Sequence, residues 1–117
     1  MLMRIVDPRR PIGLRAMRKS CESGAIDNVF LSGPLVCSDE TQAAIVMQHL
    51  PLHVRLTRAE QGCVSFEVRR VEDSLVWQVE EKFRDAAAFR AHQERVAQSD
   101  WGLATAAIAR RYTVKGL

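Results

Sequence analysis

The stretch "VEEKFRDAAAFRAHQ", residues 79–93, changes its period in the middle. Up to Phe83 apolar and polar letters alternate, so Val79, Glu81 and Phe83 fall on one side of a strand and Glu80 and Lys82 on the other. After Arg84, Asp85 offers a side-chain cap to the first amides of a helix, and three alanines, the best helix formers, follow. Within that helix Phe89, His92 or Gln93, and Val96 recur at helical spacing and predict a face turned towards the sheet. A strand running straight into a helix that packs back on it is a building block of two-layer α+β folds.

Working outward, the strand is the return arm of a hairpin. "CVSFEVRR" sets Val64, Phe66 and Val68 against Ser65, Glu67 and Arg69; "VEDS" is the turn, and "LVWQVEEKF" returns with Trp77, Val79, Glu81 and Phe83 on one face. Upstream, residues 38–62 begin with Ser38 or Asp39 as N-cap. They place Ala43, Val46, Met47, Leu50 and Val54 on an expected buried stripe. Pro51 removes a hydrogen bond and crowds the preceding turn, which predicts a kink or split near His49 and Leu50; Gly62 is the expected C-terminal stop. "NVFLSGPLVC", residues 28–37, reads as the first strand, with Pro34 at an edge, a bulge or the strand's end. Downstream, "SDWGLATAAIARR" predicts a short helix around Trp101 and "YTVKGL" a last strand.

The order is βαββαβ, a ferredoxin-like α+β fold with a four-stranded antiparallel sheet. Both long helices lie on one face, so the other, partly apolar face is bare, and pairing with a second copy predicts a homodimer. With 117 residues, 47% of them apolar, the chain is the size of one domain. That domain spans 28–117. Residues 1–27, rich in arginine, proline and glycine without a sustained period, read as a loosely ordered N-terminal extension.

The net charge of +3 resides in that extension, which holds six Lys/Arg against three acids, whereas 28–117 holds eleven of each. A domain without a clustered basic face is a poor nucleic-acid binder, so no nucleic-acid partner is expected. Cys21, Cys37 and Cys63 fit neither a disulfide framework nor a zinc site, and free thiols point to a reducing, cytoplasmic setting. Charges and prolines interrupt the N-terminal apolar run before it reaches signal-peptide length, and no segment reads as long enough to span a membrane.

Glu81 and His92 are the candidate catalytic residues. Glu81 is a carboxylate among Trp77, Val79 and Phe83, and His92, one turn after Phe89, exchanges protons near neutral pH. The packing alternative is a histidine that locks helix to sheet, with Glu81 as its ion-pair partner. Trp77, Phe83, Phe66 and Trp101 read first as core residues and otherwise as candidate walls for a planar ligand; His53 is a minor pocket candidate. His49 and His53 share a four-residue spacing that suits a metal, but Pro51 lies between them and no H-E-x-x-H glutamate accompanies them, so no metal is expected. Cys63 reads as a packing residue, and Glu60 and Gly62 as turn residues.

Several of these motifs together resemble the antibiotic biosynthesis monooxygenase family. They are Glu60-x-Gly62-Cys63 before the second strand, Glu81-x-Phe83 closing the third, Ala88-Phe89-x-x-His92 in the helix, and then "SDW" and "RRYTV". The resemblance covers about residues 28–117 and implies a dimeric α/β-barrel protein. It further implies a monooxygenase without metal, flavin or haem, in which an electron-rich phenol, anthrone or quinol itself reduces dioxygen. The relatives of this fold that degrade haem use an asparagine on the first strand and a tryptophan closing the third. Here the third strand closes with Phe83 and the only asparagine is Asn28, at the first strand's start, which argues against that activity. The alternative functions are a non-catalytic dimeric protein that binds a small aromatic ligand, and an isomerase or lyase acting on another substrate.

Overall fold

A computed structural model describes residues 28–117; the expected N-terminal extension lies outside the described residues. The elements are β1 Val29–Val36, α1 Glu40–Arg58, β2 Cys63–Arg70, β3 Val76–Phe83, α2 Ala86–Ala97, the short α3 Asp100–Ala104, β4 Ala109–Arg110 and β5 Thr113–Lys115. All pairings are antiparallel: β2 pairs with β3, β3 with β1, and β1 with both β4 and β5. This is the expected ferredoxin-like α+β arrangement, except that the last strand comes in two pieces.

That interruption has a local cause in β1. Gly33 has φ +146, and a Cβ there would stand 2.4 Å from the Arg111 carbonyl oxygen. Pro34 accepts from the Arg111 amide at 3.0 Å. In a strand a residue's carbonyl and nitrogen face the same neighbour, so the donor that proline lacks falls at the break between β4 and β5.

The registers stack side chains into rows across the inner face. Val29, Phe83 and Cys63 form one row and Leu31, Glu81 and Phe66 the next. They are followed by Gly33, Val79 and Val68, and then by Leu35, Trp77 and Arg70. A register shift between Cys63 and Ser65 takes Val64 out of the alternation and leaves it exposed, although the letters alone put it on the buried face. The apolar core lies between these rows and the inner sides of α1, α2 and α3, with Val46, Phe89, Trp101 and Ile108 contributing. The opposite face carries mostly polar residues, among them Ser32, Glu67, Glu80 and Lys82. Its aromatic, Phe30, is 45% exposed with the Lys82 ammonium 5.3 Å from its ring centre.

Asp39 caps α1, accepting from the Gln42 amide, while the Gln42 side chain accepts from the Ser38 amide. The helix runs unbroken through Pro51, so the expected split does not occur. Met47, Gln48, Pro51 and Leu52 are all exposed, so the missing bond falls on the side where water serves the freed carbonyl. The buried stripe is Ala43, Val46, His53 and Thr57, whereas Met47 is 58% exposed. The lower half of α1 therefore turns polar residues inward. Gly62 does not end the helix by a left-handed turn, since α1 closes at Ala59 in right-handed geometry. A Cβ on Gly62 would stand 2.3 Å from the Ala88 Cβ, so this glycine lets the loop before β2 lie against α2. Asp85 caps α2 as expected, accepting from the Ala88 amide at 2.8 Å.

Candidate active site

The polar inward turn of α1, the 59–62 loop and the first two turns of α2 converge above the Leu31, Glu81, Phe66 row. Since Gly62 rests on Ala88, Glu60 is brought opposite the residues one and two turns further along α2, His92 and Arg95. His92 Nδ1 stands 2.8 Å from Glu60 Oε1, and Arg95 Nε donates to Glu60 Oε2. Arg95 Nη2 donates to the Thr57 hydroxyl at 3.0 Å. On its other side His92 Nε2 is 3.6 Å from Glu81 Oε1, beyond hydrogen-bond length. His92 is 3% exposed and Glu81 8%.

Aromatic rings hold the imidazole from the sides. The Phe83 centroid lies 4.7 Å from that of His92, and Phe66 is 6.2 Å away. His53 from α1 stacks in parallel on Trp101, 4.6 Å between centroids and 5° between planes, and meets Phe66 edge-on at 5.3 Å. The short α3 exists to carry Trp101: Ser99 caps it, accepting from the Gly102 amide, and the buried Thr105 hydroxyl donates back to the Trp101 carbonyl.

A cavity of about 320 Å³ opens beside this cluster. Leu31, Phe66, Val68 and Val79 form its apolar floor, and Glu81, His92, Arg110 and Tyr112 bring polar groups to it. The volume suits a small organic ligand. A second cavity, of about 280 Å³, lies on the far side of the His53–Trp101 stack, bounded by Leu52, Leu56 and Arg95 among others. Arg110 reaches its cavity as a tethered cation, donating to the Thr105 and Ile108 carbonyls and to the Thr105 hydroxyl.

The electrostatics follow from this enclosure. Burial pushes Glu81 up to about 7, against the attraction of His92 and with added repulsion from Glu60. Burial also raises Glu60, but the hydrogen bonds and charges of His92 and Arg95 outweigh it and hold that carboxyl below its ordinary value. His53 is pushed down to about 3, first by burial and then by His92, Arg95 and Arg110, so its ring is neutral. Glu81 Oε1 and His53 Nδ1 are buried without a hydrogen-bond partner among the described residues. Burial raises the Cys63 thiol to about 11 and the Tyr112 hydroxyl to about 12. A carboxyl that titrates near neutrality beside an imidazole, in an apolar cavity, is equipped for proton transfer.

Of the residues singled out in the sequence, His92, Glu81, Phe66, His53 and Trp101 line the cavity. Phe83 sits behind His92 rather than on the lining, fully buried. Trp77 stands at the other end of β3, under the Arg70 guanidinium at 4.8 Å, and lines neither cavity. Cys63 is half-buried in the neighbouring row. His49 and His53 both border the second cavity, and no group of three or more His, Cys, Asp or Glu able to hold a metal occurs among the described residues. Sequence reading took Glu60 for a turn residue and passed over Thr57, Arg95, Arg110 and Tyr112. Glu60 and His92 are 32 positions apart, so no local pattern links them; the available signal was Gly62, whose need for close approach marks where the loop docks.

Fold and site together define a ferredoxin-like α+β protein with a buried acid–base cluster at one end of an apolar cavity. The chain belongs to the antibiotic biosynthesis monooxygenase family, whose sequence profile matches residues 38–102. No curated protein matches the chain in sequence. Among solved structures it is similar to Rv0793 from Mycobacterium tuberculosis, at 20% identity and a TM-score of 0.57, covering 76% of this chain and 91% of that one. PA3566 from Pseudomonas aeruginosa gives 21% identity, coverage of 76% and 90%, and a TM-score of 0.58. A candidate antibiotic biosynthesis monooxygenase from Caulobacter crescentus gives 19% identity, coverage of 76% and 86%, and a TM-score of 0.54. At these identities the likeness speaks for the fold. No helix among the described residues is long and apolar enough to cross a membrane.

Proposed function

We propose that this protein is a cofactor-independent monooxygenase that oxidises a quinol or a polycyclic phenol or anthrone with dioxygen. The observation that carries the reading is the Glu81–His92 pair at the polar end of the cavity, where burial sets the Glu81 carboxyl to titrate near neutrality. A substrate of this class needs little from the protein beyond an apolar slot and a base. Removal of a proton leaves a delocalised anion, and one electron then passes to dioxygen. The substrate radical and superoxide combine through a new C–O bond. At a carbon that still bears hydrogen, the resulting hydroperoxide loses water to leave a carbonyl. One oxygen atom stays in the product and the other departs as water, and the substrate supplies all four electrons that reduce dioxygen. His92 acts as base or proton relay, and Phe66 and the His53–Trp101 stack flank the ring. Arg110 and Tyr112 reach the same cavity and favour an oxyanion there.

A homodimer in the cytoplasm completes the proposal. The sheet face that no described helix covers, with the half-exposed Phe30, and the free thiols of Cys37 and Cys63 support these two parts. Light scattering on the purified protein tests the first. The enzymatic reading is tested by mixing anaerobically prepared quinol with protein and following oxygen uptake. Uptake above the spontaneous rate that disappears in His92→Ala is the expected result, and uptake unchanged in that variant removes His92 from the mechanism. Saturable binding without turnover supports the alternative, a non-catalytic protein for a small aromatic ligand.

A further inference from the structure

His92 meets a carboxylate at each ring nitrogen, and the two contacts differ in kind. The Nδ1 contact with Glu60 is a short hydrogen bond of 2.8 Å; the Nε2 contact with Glu81 is 3.6 Å, too long for one. Glu60 is itself held from behind. Arg95 Nε donates to its other oxygen, and Arg95 in turn donates to Thr57, which is wholly buried at the end of α1. An ionised carboxylate can only accept, so the short contact requires a proton on Nδ1. A neutral imidazole has a single N–H, and the lone pair therefore resides on Nε2, the nitrogen that faces Glu81.

We propose that Glu60, anchored by Arg95 and Thr57, is a positioning residue that fixes His92 as its Nδ1–H tautomer and presents Nε2 to the cavity as the basic nitrogen. Glu81 is then a second acid–base group in its own right rather than the partner that orients the histidine. Its Oε1 lacks any hydrogen-bond partner among the described residues, as expected of a group not engaged in holding the ring. The titratable and charged groups arranged around His92 are few. Among the described residues they are His53 from α1, Glu60 from the loop before β2, Glu81 from β3, Arg95 from α2 itself, Arg110 from β4 and Tyr112 between β4 and β5. His53 is neutral, so the anion fixed closest to the ring is Glu60. The catalytic consequence of this tautomer rests on the monooxygenase reading above, whereas the tautomer itself does not.

The test is made on the full chain with 15N-labelled histidine, by recording two-bond 15N–1H correlations at about pH 8, where an ordinary imidazole is neutral. The expected wild-type result is a protonated Nδ1 and a bare Nε2 for His92. In Glu60→Gln the amide can donate as well as accept, and the tautomer ratio is expected to fall by about tenfold or more, the factor a charge-assisted hydrogen bond supplies. Arg95→Lys keeps the charge but loses the fork, so its ratio falls by less. A wild-type spectrum with the proton on Nε2, or an even mixture, overturns the proposal, as does a ratio unchanged in Glu60→Gln. The wild-type spectrum decides even where a variant does not fold. If the ratio moves as expected while no quinol is turned over, the positioning role stands and the monooxygenase reading falls.

Discussion

Trp77 and Glu81 lie on the same face of β3, four residues apart, and are 3% and 8% exposed. Their surroundings differ completely. Trp77 faces Leu35 across the sheet within the apolar core and carries the Arg70 guanidinium on its ring, a packing and a cation–π environment. Glu81 faces Leu31 and Phe66, looks into a cavity, and meets a histidine that a second carboxylate holds from behind. At the Trp77 end burial places an apolar ring in an apolar core. At the Glu81 end burial leaves a polar atom without a hydrogen-bond partner among the described residues and shifts a carboxyl to near neutrality. Equal burial thus separates core from site only when the hydrogen-bonding needs of the buried groups are counted.

The largest expected contrast is catalytic. His92→Ala should lower quinol-dependent oxygen uptake by about 10²–10⁴-fold, the usual worth of a positioned acid–base group, in assays at matched folded concentration. Next comes a contrast in stability. Trp77→Ala should cost about 3–5 kcal/mol in urea unfolding, as for other large aromatics removed from a core, without altering the rate per folded molecule.

Glu81 itself should make stability depend on pH. Its carboxyl rises from 4.5 to about 7 on folding, so the folded state holds the proton more tightly. Stability from this source is complete below about pH 4.5, falls as pH rises towards 7, and is level above that, a total of about 3 kcal/mol. Glu81→Gln should remove this slope, which paired urea titrations of wild type and variant across that range measure. A slope equal in both would place the carboxyl in ordinary solvation. The smallest effect is expected at Cys63, beside the same end of the strand. Its raised thiol is neutral across this range, so Cys63→Ala should cost about 1 kcal/mol and leave oxygen uptake and its pH profile unchanged.

The sequence made the fold legible because its signals are local. The strand-to-helix change at Asp85, the alternation of β3 and the caps of α1 and α2 each depend on neighbours a few positions away. Errors arose where a tertiary contact decides the outcome. Met47 was expected inside and Thr57 was not, and His53 stood only as a minor pocket candidate, because the lower half of α1 faces a polar cluster contributed by a loop and another helix. Pro51 does not split the helix, because it lies on the exposed side, where water serves the carbonyl it frees. For the site, Glu81 and His92 stood out as ionisable groups on apolar faces, a contrast visible in the letters. Glu60 did not, since its role depends on the approach of Gly62 to Ala88. Arg110 and Tyr112, which also line the cavity, lie where β4 and β5 break opposite Gly33 and Pro34, a break that depends on pairing with the distant β1.

The claim that one end of β3 is a reaction site and the other a core is tested most directly by a single comparison. Quinol-dependent oxygen uptake is measured for wild type, Glu81→Gln and Trp77→Ala under conditions that keep all three folded. Uptake close to wild type in Trp77→Ala and reduced by about 10²-fold or more in Glu81→Gln is the predicted result. Equal rates in the two variants, or a larger loss in Trp77→Ala, would contradict it.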